Sequence, residues 1–181
     1  MEKLIMVDGN NLLFRSYYAT AYTGNLMKNS KGFPTNGLFG FVNMINKIVT
    51  EEKPTFMIVT FDKGKTFRHN EYKEYKSGRA ETPNELKMQF PYAKELLTYM
   101  GIKYYEIDNY EADDIIGTFS RYCEKDTDYE GVIISSDKDL LQLISDEVEI
   151  KLLKQKDYIR YNKESFKKEY GIDPIKIITR L

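Results

Sequence analysis

Three short apolar stretches of this 181-residue chain each run into an aspartate. Asp8 follows the residues LIMV, Asp62 follows TFMIVTF, and Asp137 follows VIISS. Segments with apolar residues at helical spacing separate these stretches, and the alternation predicts an α/β domain with a buried, mostly parallel central sheet flanked by helices. Because the carboxyl ends of parallel strands meet at one edge, where such sheets bind ligands, we expect the three aspartates to lie at one rim.

Hydrophobic periodicity predicts the individual elements. Turn residues and helix breakers set the ends of these elements, as where Gly101 stops a helix that Pro83 begins. The predicted strands are residues 4–7, 55–61, 103–107, 132–136, 148–153 and 158–161. The predicted helices are residues 11–18, 38–49, 83–100, 112–123, 138–144 and 162–170, with a last one opening at 171–174.

More carboxylates follow in two other places. Residues 110–118 read YEADDIIGT, and residues 135–141 read SSDKDLL. The first segment, taken alone, is typical of an amphipathic helix whose acidic first turn complements the helix dipole. Together with the strand-end aspartates it gives seven candidates for one site: Asp8, Asp62, Glu111, Asp113, Asp114, Asp137 and Asp139.

Seven acids in one place would repel each other and raise each other's pKa values, and divalent cations remove that repulsion. The chain has one cysteine, Cys123, and one histidine, His69, which argues against a zinc site built from thiolates and imidazoles. Oxygen ligands favour Mg²⁺ or Mn²⁺. Two such ions, about 4 Å apart, would activate a water and stabilise a reacting phosphodiester.

A basic segment supplies the complementary charge. Residues 63–79 carry six Lys or Arg residues, interleaved with Phe67, Tyr72 and Tyr75. Cations hold phosphates while aromatic rings stack on bases, so the segment predicts a nucleic-acid contact. A solvated, flexible charged loop is the competing interpretation of this segment alone.

Five sequence blocks resemble, in order, the motifs of the bacterial 5′→3′ exonuclease domain found at the N-terminus of DNA polymerase I, a member of the flap-endonuclease family. The resemblance covers essentially the whole chain, and the five blocks together are specific. They are VDGNNLLFR at 7–15, PTNG at 34–37 with Gly40-Phe41, FD at 61–62 with FR at 67–68 and YKSGR at 75–79, YEADD at 110–114, and SDKDL at 136–140.

The resemblance implies a PIN-like fold with a basic helical arch at about residues 63–85. It implies divalent-metal-dependent hydrolysis of DNA, and of RNA primers, at 5′ ends and flaps in replication and repair. Water would attack the phosphodiester in line, without a protein nucleophile. The seven carboxylates would hold the metal ions, and the implied catalytic groups are Asp8, Asp62, Asp114, Asp137, Lys76 and Arg79. The implied DNA contacts are Arg15, Arg68, Tyr75, Lys76 and Arg79, with a structural ion pair as the alternative for Arg15.

The chain departs from the family pattern at its end. In the family, a stretch resembling YGIDP at 170–174 leads into a helix-hairpin-helix element that binds duplex DNA and supplies further metal-site aspartates, whereas this chain ends at Leu181. We therefore expect residues 1–181 to bind the first metal ion but to show reduced or absent cleavage. With no long apolar run and no disulfide pair, we expect a cytoplasmic protein that does not contact membranes. The sequence leaves the oligomeric state open, with a monomer as the default expectation.

Three other functions compete with this interpretation. A PIN-type ribonuclease shares the acidic rim, but such domains are usually shorter and lack an insertion like residues 63–79. A nucleic-acid-binding module without activity would carry the acids as residual features. A receiver-like phosphoacceptor domain places acids at strand ends, but does not account for seven of them or for the basic segment.

Overall fold

The computed structural model describes residues 1–21, 26–64, 66–72, 78, 81–126, 128–155 and 157–176. Its centre is a six-stranded sheet with strand order β3-β2-β1-β4-β5-β6. All neighbours are parallel except β5 and β6, which form an antiparallel hairpin. The strands are Glu2–Asp8 (β1), Phe56–Thr60 (β2), Lys103–Tyr105 (β3), Tyr129–Ser135 (β4), Val148–Leu153 (β5) and Tyr158–Tyr161 (β6).

Helices cover both faces of the sheet, so the predicted α/β class and mostly parallel sheet are confirmed. The α-helices are Gly9–Ala21 (α1), Asn36–Glu52 (α2), Phe67–Glu71 (α3), Asn84–Lys87 (α4), Gln89–Tyr99 (α5), Ala112–Lys125 (α6) and Lys163–Tyr170 (α7). Two 3₁₀ helices span Lys138–Leu143 and Pro174–Lys176. None of the helices within these described ranges is long and apolar enough to cross a bilayer.

Alternation along the strands divides the core into two layers. In β1, Ile5 and Val7 pack with α1, α2 and α5, whereas Leu4 and Met6 pack with the layer that contains α6 and α7. The central strands are therefore apolar on both faces, as expected for a buried parallel sheet.

Helix α1 begins directly after β1, without an intervening loop. Gly9 makes this possible, because a Cβ atom there would lie 2.7 Å from the Phe61 ring and 2.7 Å from Val59. The close approach keeps the turn that follows Asp8 against the end of β2.

Two of the predicted helices were wrong in detail. The helix predicted over 83–100 is divided at Met88, because Pro91 has no N–H to donate to the carbonyl of Lys87. The segment predicted as a helix over 138–144 is a 3₁₀ helix. The connection between the parallel neighbours β4 and β5 consists of residues 136–147 only. A 3₁₀ helix, which is wound more tightly than an α-helix, suits so short a connection.

Candidate metal centre

Asp8 is the last residue of β1 and lies at the centre of the carboxyl edge of the sheet. Its side chain is only 6% exposed. The Asn11 backbone N–H donates to Oδ1 at 3.0 Å, and the Ser135 hydroxyl donates to Oδ2 at 3.0 Å. The pKa of Asp8 is raised to about 6 despite these hydrogen bonds, mainly by burial and to a smaller extent by the charges of Asp62 and Asp137.

Asp62 follows β2, the neighbour of β1, and is held by a reciprocal contact with Asn10. The Asn10 amide donates to Asp62 Oδ2 at 3.2 Å, and its carbonyl oxygen accepts from the Asp62 backbone N–H at 3.1 Å. The backbone N–H of Ala112, at the start of α6, donates to Asp62 Oδ1 at 2.8 Å. Asp62 therefore connects the end of β2 to the turn after β1 and to α6.

Asp137 follows β4, the other neighbour of β1, and a second asparagine fixes that strand end. Asn11 Oδ1 accepts from the backbone N–H and the hydroxyl of Ser136 at 3.0 and 2.7 Å. The Ser135 hydroxyl accepts from the Asp137 N–H at 3.0 Å, and Asp137 Oδ1 accepts from the Asp139 N–H at 2.9 Å. The three strand ends that carry aspartate are thus joined through Asn10 and Asn11.

The first turn of α6 brings further carboxylates to this edge. Burial is the largest cause of a rise in the pKa of Asp113 to about 7, and four neighbouring negative charges contribute to it: Asp8, Asp137, Asp62 and Glu111. Glu111 itself is 6% exposed. The structure therefore brings five of the seven predicted carboxylates together.

Asp114 is involved in a different interaction. The guanidinium of Arg68, on α3, donates to both of its carboxylate oxygens, at 2.7 and 2.8 Å. Arg68 Nη1 also lies 3.7 Å from Glu111 Oε2. Arg68, which the resemblance assigns to DNA, thus contacts two predicted metal ligands.

The remaining predicted residues lie around this cluster or outside the described ranges. Asp139 is exposed on the 3₁₀ helix that follows β4. Arg15 lines a cavity of about 320 Å³ between α1, α2 and the β5–β6 hairpin, and its side chain makes no hydrogen bond or ion pair in the described part of the chain. Tyr75, Lys76 and Arg79 lie outside the described residues.

The donors at this edge suit a hard divalent cation, because they are all carboxylate oxygens on fixed strand and helix ends. Among the described residues, no three acidic, histidine or cysteine side chains already form a coordination shell. The site is therefore a group of positioned, mutually repelling carboxylates. Four residues position these carboxylates and were not predicted from the sequence: Asn10, Asn11, Ser135 and Ser136. Their location next to strand-end aspartates was the available signal.

Known proteins with similar sequences contain this domain as a part of a longer chain. The chain is 44% identical over 180 residues to DNA polymerase I of Bacillus caldotenax, covering 98% of this chain and 20% of the relative. It is 40% identical over 180 residues to a 5′-3′ exonuclease of Bacillus subtilis, covering 98% of this chain and 60% of that protein. It thus spans about a fifth of the length of the polymerase relatives.

A solved structure has the same fold. The flap endonuclease D15 of bacteriophage T5, crystallised as a variant in a pseudo-enzyme-product complex with DNA and metal ions, matches with a TM-score of 0.68 and 23% identity. The match covers 95% of this chain and 62% of the phage protein. Residues 3–171 match the model of the family described as 5′-3′ exonuclease, N-terminal resolvase-like domain. This match agrees with the resemblance that the sequence motifs indicate. The chain belongs to that family.

Proposed function

We propose that the chain is the metal-dependent nuclease domain of a 5′→3′ exonuclease and flap endonuclease, which hydrolyses phosphodiester bonds of DNA. The observation that carries the proposal is the carboxylate group at the sheet edge. Burial and like charges raise the pKa of Asp8 to about 6 and that of Asp113 to about 7. Groups perturbed in this way at the ligand-binding edge of an α/β sheet indicate a functional site.

The residues present fit a divalent cation, Mg²⁺ or Mn²⁺. Such an ion, when bound, supplies electrostatic stabilisation of the charge that develops on a phosphodiester and acidifies water. Asp139 on the neighbouring 3₁₀ helix would contribute to a second ion. The side chains that would hold the first ion are Asp8, Asp62, Glu111, Asp113 and Asp137.

The protein's own contribution is to fix these groups before substrate arrives. Asn10 and Asn11 hold the turn after β1 to the ends of β2 and β4. Buried apolar residues of α6, such as Ile115 and Ile116, fasten the opposite face of that helix to the core. Reorganisation on binding is then small, which is the usual source of electrostatic catalysis.

DNA is the proposed substrate, with 5′ ends, flaps and RNA-DNA primer junctions as the specific forms. The phage relative was crystallised with DNA and metal ions. The side chain of Arg15 has no ion pair within the described ranges, which favours a phosphate contact over the structural alternative. Tyr75, Lys76 and Arg79 lie outside the described residues, so their proposed roles, base stacking for Tyr75 and phosphate contacts for Lys76 and Arg79, rest on the sequence motif alone.

The test is cleavage of a 5′-flap DNA substrate with Mg²⁺ or Mn²⁺, at a protein concentration high enough to detect the reduced cleavage expected of residues 1–181. The unsubstituted chain is compared with four variants: Asp8→Asn, Asp62→Asn, Asp113→Asn and Asp137→Asn. We expect each substitution to reduce cleavage strongly while the far-ultraviolet circular dichroism stays unchanged. Near-normal cleavage by all four variants would overturn the proposal. A matched single-stranded RNA substrate separates this function from that of a PIN-type ribonuclease.

A further inference from the structure

Arg68 and Asp114 are 46 residues apart in sequence and form a two-point ion pair. Nη1 donates to Asp114 Oδ2 at 2.7 Å, and Nη2 donates to Oδ1 at 2.8 Å. The guanidinium carbon also lies 4.6 Å from the centre of the Phe67 ring. Bidentate arginine–carboxylate pairs are the stronger and more directional form of ion pair, so this contact defines the relative position of α3 and α6.

The carboxylate of Asp114 has a third donor. The backbone N–H of Glu111 donates to Oδ2 at 2.9 Å, which satisfies an otherwise unpaired donor at the start of α6. Both oxygens of Asp114 are therefore engaged. A divalent cation bound to the same oxygens would lie beside the guanidinium, and the two positive charges would repel each other.

The residues around the pair fasten the same two segments together. Thr66 forms an isolated parallel bridge with Asn109, and the Phe67 N–H donates to the Asn109 carbonyl at 3.1 Å. The rings of Phe67 and Tyr110 pack with centroids 6.0 Å apart. The basic segment of residues 63–79 thus starts from a point that is fixed on the residues preceding α6.

We propose that Asp114 is the anchor of Arg68 rather than a metal ligand, and that Arg68 is a positioning residue. The pair holds the start of the basic segment against the helix that carries Glu111 and Asp113. Metal ligation is left to Asp8, Asp62, Glu111, Asp113 and Asp137. The inference rests on the proposed divalent-cation site and assigns roles within it.

The two roles of Asp114 predict different effects on Mn²⁺ affinity, which the electron paramagnetic resonance signal of free Mn²⁺ measures in a titration. With Asp114 as the anchor, Arg68→Gln and Asp114→Asn break the same pair. Both variants then release the segment that carries Glu111 and weaken binding, Arg68→Gln by the smaller factor because it also removes a positive charge near the site, and the two losses are not additive in the double variant. With Asp114 as a ligand, Asp114→Asn weakens binding, whereas Arg68→Gln strengthens it because a competing cation is removed. Opposite signs, or additive losses, would overturn the inference.

Backbone amide hydrogen exchange of residues 66–71 gives a second readout that needs no metal. The anchor role predicts faster exchange in both single variants. It predicts unchanged exchange in Lys63→Gln, the matched control, which removes an exposed neighbouring ion pair with Asp108 at 3.1 Å. Unchanged exchange in Asp114→Asn would contradict the inference. If the unsubstituted chain bound no Mn²⁺, the proposed function would fail, while the exchange result would still decide whether the pair anchors the segment.

Discussion

Two buried carboxylate sites in this domain differ in how their charge is balanced. Glu52, at the end of α2, is 7% exposed and forms an ion pair with Lys151, which is itself 4% exposed on β5. Burial alone would raise the pKa of Glu52, but the hydrogen bond and charge of Lys151, with that of Lys3, outweigh it and lower the pKa. At the sheet edge, burial instead raises the pKa of Asp8 to about 6 and that of Asp113 to about 7.

The difference separates a structural acid from the acids of the proposed cation site. The fold supplies Glu52 with a lysine partner, whereas no Lys or Arg among the described residues forms an ion pair with Asp8 or Asp113. Unbalanced buried charge lowers the stability of a fold and persists where function requires it. The comparison therefore supports the proposed divalent cation as the source of balancing positive charge at the sheet edge.

The largest expected effect is on cleavage. Asp113→Asn removes a carboxylate from the centre of the acidic group, so cleavage of a 5′-flap substrate should fall by about a thousandfold, or about 4 kcal/mol of transition-state stabilisation. Single-turnover rates with Mg²⁺ measure this effect. Glu2→Gln, at an exposed position at the start of β1, is the control and should cleave at the rate of the unsubstituted chain. A loss of cleavage of less than tenfold in Asp113→Asn would show that Asp113 is not part of the site.

The next effect is on folding. Glu52→Gln leaves the Lys151 charge buried without its partner, so the free energy of unfolding should fall by about 3 kcal/mol. Urea unfolding measures it. The matched control is Glu51→Gln on the same helix end, where the ion pair with Lys47 is exposed and the expected change is below about 0.5 kcal/mol. Equal changes in both variants would show that the buried pair is not structural.

A smaller effect is expected on metal affinity alone. Asn10→Ala removes both contacts to Asp62, and loss of such an orienting partner weakens metal binding by about 10- to 100-fold. Titration with Mn²⁺ measures the dissociation constant. Asn46→Ala, on the exposed face of α2, should leave it unchanged. Equal dissociation constants for Asn10→Ala and Asn46→Ala would contradict the positioning role assigned to Asn10.

The smallest expected effect is an increase in the free energy of unfolding, opposite in sign to the decrease expected for Glu52→Gln. In metal-free buffer at pH 8, Asp113→Asn relieves repulsion among buried carboxylates, so the free energy of unfolding should rise by about 1 kcal/mol. The same urea experiment measures it, with Glu2→Gln again as the control. A decrease comparable to that of Glu52→Gln would mean that the two acid sites are alike.

The strand-end aspartates could be predicted because parallel strands share a carboxyl edge, so Asp8, Asp62 and Asp137 had to converge. Glu111 and Asp113 could be predicted as part of the site because helical spacing places them in an acidic first turn and because so many carboxylates occur together. These predictions depend on local pattern and on one rule of topology.

Contacts between distant segments could not be predicted in this way. The pairing of Arg68 with Asp114 and that of Glu52 with Lys151 depend on how loops and helix ends pack, which no spacing rule encodes. The division of the helix at Met88 could have been predicted from Pro91, but the start signal at Pro83 and the stop signal at Gly101 favoured a single helix.

We propose that a bound divalent cation balances the buried acids at the sheet edge. Thermal unfolding at pH 8 with increasing Mn²⁺ tests it most directly. We predict that the unsubstituted chain and the Glu52→Gln variant gain equal stability, about 2.7 kcal/mol at a hundredfold excess over the dissociation constant. Asp113→Asn should gain almost none. An unsubstituted chain whose unfolding temperature does not respond to Mn²⁺, or an equal gain in Asp113→Asn, would contradict the account.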